Sequence, residues 1–132
     1  MVSLSFSSCN KDKDRKVSNS ERLIGAWIYR TTQEKTNGEW KDMPTQVGAE
    51  GMQTFYKDGK ALITMTFKGE YMEQKFEWNL KDNNDYIING TVRGQILFES
   101  NDCFYLYSDE TLDPETGGNI KGEFRDIYDR KK

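Results

Sequence analysis

From Leu23 to the end of the chain, apolar and polar residues alternate with a period of two. The stretch "ALITMTF" sets Ala61, Ile63, Met65 and Phe67 against Leu62, Thr64 and Thr66. "YMEQKFEWNL" sets Met72, Phe76, Trp78 and Leu80 against Tyr71, Glu73, Lys75, Glu77 and Asn79, and "VRGQILFES" sets Val92, Ile96 and Phe98 against Arg93, Gln95 and Glu99. Such a period describes strands with one buried and one wet face. Turn residues separate them: Asp58-Gly59, Lys68-Gly69-Glu70, Asp82-Asn83-Asn84, Asn89-Gly90 and Ser100-Asn101. The pattern predicts eight strands, near 23–33, 51–57, 60–68, 70–81, 85–89, 92–99, 102–108 and 120–130, and no major helix.

Eight antiparallel strands joined mostly by hairpins, with one apolar face, make an all-β, eight-stranded antiparallel up-and-down β-barrel, which removes its own edges by closing. A two-sheet sandwich needs several long crossovers, and only two long connections occur, near 34–50 and 109–119. The barrel domain is expected over residues 21–132, in a chain of 132 residues that is long enough for one core.

Residues 1–20 read as an address and a tether. "FSSC", Phe6 to Cys9, matches the end of a bacterial lipoprotein signal, in which small residues precede a cysteine that is lipidated. The apolar stretch is too short for a complete signal and lacks a basic n-region, so the native start codon is expected upstream of Met1. Alternatives are a plain tail with an incidental cysteine, and a Cys9–Cys103 disulfide, for which a charged flexible tail is a poor setting. The polar run from Lys11 to Ser20 cannot bury apolar area and reads as a solvated tether. The implied location is the cell envelope, with membrane attachment only through a lipid at Cys9.

In a closed barrel the last strand returns beside the first. That brings Arg130 to Trp27, where a guanidinium can stack on the indole and seal the floor, with Gly25 leaving room for it. Here the chain resembles the lipocalins and wider calycins, which carry a Gly-x-Trp on strand one and an arginine on the last strand. With the lipobox remnant, it is similar to the short lipocalin-like lipoproteins of Bacteroidetes. It departs from typical lipocalins in having no C-terminal helix and no disulfide. The resemblance implies a barrel that binds small ligands rather than an enzyme.

The chain contains no histidine, which removes the commonest general base and the commonest transition-metal ligand. Two cysteines are too few for a thiolate zinc site, and Cys103 without a histidine partner reads as inert packing. No enzyme activity, cofactor or metal is therefore expected. The acidic loop over 108–119 offers Asp109, Asp113 and Glu115 as calcium ligands but lacks EF-hand spacing. A formal net charge of −3 argues against nucleic acid as a partner.

An eight-stranded barrel has room for its own side chains or for one small ligand. The expected inward set is Tyr29, Ile63, Met65, Phe67, Met72, Gln74, Phe76, Trp78, Ile96, Phe98, Phe124, Asp126 and Tyr128. Gln74 and Asp126 break this apolar pattern and are either satisfied inside a network or available to anchor a mainly apolar ligand. Both long connections fall at the end opposite the floor, and Trp40 within the first is expected to fold back over the mouth or a strand edge. The candidate ligand-binding residues are thus Tyr29, Trp40, Met65, Phe67, Gln74, Phe76, Trp78, Asp126 and Tyr128, for a small apolar or amphipathic ligand. The alternative is a filled barrel that serves as a protein-interaction or inhibitor module of an envelope complex, its protein partner unknown.

Overall fold

A computed structural model describes residues 17–44, 50–67, 69–113 and 116–132. A short helix, α1 (Asn19–Leu23), precedes nine strands: β1 (Gly25–Thr36), β2 (Glu39–Asp42), β3 (Glu50–Phe55), β4 (Lys60–Phe67), β5 (Glu70–Leu80), β6 (Asp85–Ile88), β7 (Thr91–Ser100), β8 (Cys103–Leu112) and β9 (Asn119–Arg130). The strands pair antiparallel in the order β2-β1-β3-β4-β5-β6-β7-β8-β9, and β1 also pairs with β9. That last pairing closes β1 and β3 to β9 into the expected eight-stranded up-and-down barrel.

The ninth strand is a correction. The segment from residue 34 does not start a long loop: β1 runs on to Thr36, and β2 returns along it with Gln33 opposite Asp42 and Thr36 opposite Glu39. Asn37 and Gly38 make the turn at φ 55° and 81°, the left-handed pair that a tight two-residue hairpin demands. The second long connection also shrinks, because β8 extends to Leu112 and β9 begins at Asn119.

The folded part begins earlier than residue 21. Ser18 caps α1 in a capping box with Glu21, Asn19 Nδ2 donates to Asn84 Oδ1 at 2.7 Å, and Ser20 Oγ donates to the Leu80 carbonyl at 3.0 Å. The expected tether boundary at residue 20 therefore lies inside a docked helix. Leu23 carries the helix's apolar contribution and is fully buried.

At the floor end β1, β8 and β9 bring aromatic rings together. Trp27 meets Phe104 edge-on at 4.7 Å, and Phe104 stacks on Tyr128 at 5.0 Å. On the opposite wall Phe55 meets Trp78 at 5.3 Å and Tyr86 at 6.0 Å. One extra residue in β1, Arg30, shifts the register between Tyr29 and Thr31. This bulge sends Arg30 to the outer surface, where it forms a two-pronged ion pair with Asp129 at 2.6 and 2.8 Å. It also resets the alternation, so that Tyr29 and Thr32 share the inner face.

Candidate functional site

The floor is a plug. The Arg130 guanidinium carbon lies 4.2 Å from the centre of the Trp27 ring. Its nitrogens donate to the carbonyls of Arg22 (2.8 Å), Ile24 (3.2 Å) and Asn101 (3.0 Å), and Trp27 Nε1 donates to the Leu23 carbonyl at 2.8 Å. Helix, first strand and last strand are thus tied at one point. Gly25 sits at φ +126°, and a Cβ built there would stand 3.0 Å from Arg130 Nη1, so the glycine serves both conformation and space.

Above the plug the interior carries a polar layer. Gln53 on β3, itself buried, accepts from Tyr86 Oη and donates to Tyr128 Oη, each at 2.7 Å. Beside it Thr32 Oγ1 donates to Asp126 Oδ1 at 2.6 Å. That spends the one Thr32 proton, so the Tyr29 hydroxyl must be the donor in its contact with Thr32. The chain of donation runs from Tyr29 through Thr32 to Asp126. Burial raises the Asp126 carboxyl from its ordinary value, against the lowering effect of the Thr32 bond. Burial likewise pushes the Tyr128 phenol well up, helped by the neighbouring Asp126 charge.

Beyond this layer the barrel opens. The Asn89-Gly90 turn ends β6 at Ile88, so β5 pairs with β6 only over Trp78–Leu80. Among the described residues no strand pairs with that side of β5 from Glu70 to Lys75, and the wall is notched there. The inner-face residues there stay in water: Met65 is 46% exposed and its cross-strand partner Met72 is 52% exposed. Gln74 is also exposed. It keeps the inner parity of Phe76, but the expectation that it is a buried polar group is corrected, because the strand that would cover it stops short.

The other candidate residues fall into three places. Tyr128 is buried in the core, Tyr29 and Phe76 pack partly buried against it, and Asp126 is half-buried on β9. Trp78 belongs to the floor half; it packs on Phe55 and donates from Nε1 to the Tyr56 carbonyl at 3.0 Å. Its expected place on the inner face holds, but these contacts tie it to the core rather than leave it for a ligand. Phe67 ends β4, and its side chain lies outside the described set, as do Cys9 and Glu115 altogether.

Trp40 folds back, but onto the outer face of the wall rather than across the mouth. Its ring lies 4.3 Å from the Arg125 guanidinium and meets Tyr107 edge-on at 5.8 Å. Arg125 is sandwiched, with Tyr105 at 4.5 Å, and its Nε donates to Gln33 Oε1 at 2.7 Å. Next to this cluster, where the start of β7 diverges from β8, runs a groove of about 410 Å³ whose lining includes Trp40, Val92, Arg93, Tyr107 and Phe124.

Three interior residues escaped the sequence reading. Thr32 was hidden by the Arg30 bulge, which no residue type announces. Tyr86 sits in a four-residue strand too short to show a period. Gln53 had a visible signal, since "GMQTF" alternates Gly51, Gln53 and Phe55 in the manner of β5. Among the described residues no group of three or more acidic, histidine or cysteine side chains is placed to hold a metal ion. None of their helices is long and apolar enough to cross a membrane.

A meander of eight antiparallel strands closed first to last, with a short helix and an arginine–tryptophan plug at one end, is a lipocalin-like barrel at the level of fold. No family model and no curated protein matches the sequence. Among solved structures the chain is similar to bovine odorant-binding protein in complex with a selenium-containing odorant. The two share 13% identity over 90% of this chain and 76% of that one, with a TM-score of 0.48.

Proposed function

We propose that this chain is a non-enzymatic lipoprotein of the cell envelope, held by a lipid at Cys9, whose barrel binds a small amphipathic ligand at its open end. One observation carries the reading: the inner face above the packed half divides into two unlike walls. Ile63, Met65, Met72 and Phe76 on β4 and β5 form a mainly apolar wall, interrupted by Gln74 opposite Ile63. Tyr29, Thr32 and Asp126 on β1 and β9, across the barrel in strand order, form a polar one. Such division suits a molecule with one apolar and one polar end.

The test is calorimetric titration with decanol, decanoate and decylammonium, each below its aggregation threshold. Saturable binding of at least one, weakened about tenfold or more in Met65→Glu and Met72→Glu, supports the reading. Both methionines are exposed, so these variants should fold. No binding of any of the three would remove it.

A second reading, a protein-interaction module, has its own observation. The uncovered edge of β5 between Glu70 and Lys75 presents backbone donors and acceptors beside Tyr71, which is 63% exposed. Loss of a partner in pull-downs with Glu73→Pro, alongside unchanged amphiphile binding, would favour it.

A further inference from the structure

We propose that Asp126 is the anchor for a positively charged, hydrogen-donating head, an ammonium group, on the ligand of the open end; this rests on the mouth-binding reading above.

Donor and acceptor accounting carries the inference. Asp126 is half-buried, on the inner face of β9 opposite Thr32 of β1. The hydroxyls of Tyr29 and Thr32 both spend their protons in the chain that ends at Asp126 Oδ1. Among the hydrogen bonds of the described residues, none reaches the second carboxylate oxygen, and none of their ion pairs involves Asp126. What this wall offers an incoming molecule is therefore an acceptor bearing negative charge and no counter-ion.

The surroundings agree. Tyr29 and Tyr128 lie opposite each other on β1 and β9, their ring centres 5.6 Å apart and tilted at 65°. A half-buried tyrosine ring beside a carboxylate favours a cation, because the ring face carries partial negative charge. The cation nearest in sequence, Arg125, points to the outer face and is held there by Trp40, Tyr105 and Gln33. Burial raises the carboxyl and the Thr32 bond opposes the rise. An anionic head would meet repulsion here, and a neutral alcohol would gain only an ordinary hydrogen bond.

Calorimetry at pH 7 with decylammonium, decanol and decanoate compares the three heads on one tail. Decylammonium should bind about tenfold or more tightly than decanol, the usual margin of a charge-assisted over a neutral bond, and decanoate weakest. In Asp126→Asn, which keeps the shape and an acceptor for Thr32, the preference for ammonium over decanol should be lost. Equal binding of ammonium and decanol by the wild type, or a preference that survives in Asp126→Asn, overturns this proposal and leaves mouth binding standing. Binding of none of the three removes both. Should Asp126→Asn fail to fold, the wild-type ranking alone decides.

Discussion

Arg130 and Trp27, 103 residues apart in the chain, face each other as directly opposed partners of β9 and β1, guanidinium over indole at 4.2 Å. The same guanidinium caps three backbone carbonyls, two of them at the end of α1 and just beyond it. Closure of the barrel and docking of the helix therefore share one side chain. Trp27→Ala, at a fully buried ring, should cost about 3–5 kcal/mol. Arg130→Met keeps part of the stacking but loses the three bonds, and should cost about 2–3 kcal/mol. Chemical denaturation of both variants measures this. Losses under about 1 kcal/mol would show that the floor does not hold the barrel closed.

Gln53 bridges the hydroxyls of Tyr86 and Tyr128 from the interior. Replacing it by leucine leaves both phenols without this partner in a buried layer. Gln53→Leu is expected to lose about 2–4 kcal/mol despite its added hydrophobicity, while Gln53→Glu, which keeps only the acceptor, falls between. A leucine variant as stable as the wild type would mean that the layer is wet.

The raised carboxyl of Asp126 gives a signed pH dependence. In the window between its unfolded and its higher folded value, the native state holds more protons than the unfolded state. Stability contributed by this residue is thus present at low pH and falls as pH rises through that window. Asp126→Asn removes the dependence, so its melting temperature should exceed that of the wild type at pH 7 and approach it near pH 4. The opposite ordering would indicate that the carboxylate is stabilised in its ionised form.

Cys103 is buried on the outer side of β8, with its thiol pushed up to about 11, chiefly by burial. In a Cys9→Ser background it should resist a disulfide reagent at pH 8 in native conditions and react promptly in urea. Fast native labelling would show that β8 opens readily.

Much of the fold could be read from the period-two pattern, because each strand contributes a core face and a wet face. The floor was legible for a different reason: Gly25, Trp27 and Arg130 are few, bulky or special, and closure puts them together whatever the exact register. The polar layer was half legible. Asp126 and Tyr128 follow the alternation of β9, but Thr32 lies on the inner face only because of the Arg30 bulge, a backbone irregularity without a residue signature. Gln74 failed differently. Its parity was right, but its burial depends on how far β6 extends, and the Asn89-Gly90 turn that limits it acts on a neighbouring strand. The β1–β2 hairpin had a plain Asn37-Gly38 signal; charged residues on both sides masked the alternation that usually frames it.

The most direct measurement of the central claim, that the open end of a floor-plugged barrel takes an amphipathic ligand, uses the methionine methyl groups as reporters. Met65 and Met72 line the notched inner wall, whereas Met52, next to the buried Gln53 on β3, and Met43, just beyond β2, serve as references away from it. With carbon-13 in the methionine methyls, titration with decylammonium should shift the Met65 and Met72 signals saturably and together, leaving Met43 and Met52 in place. Unmoved Met65 and Met72 signals, or saturable shifts confined to Met43 and Met52, would contradict the account.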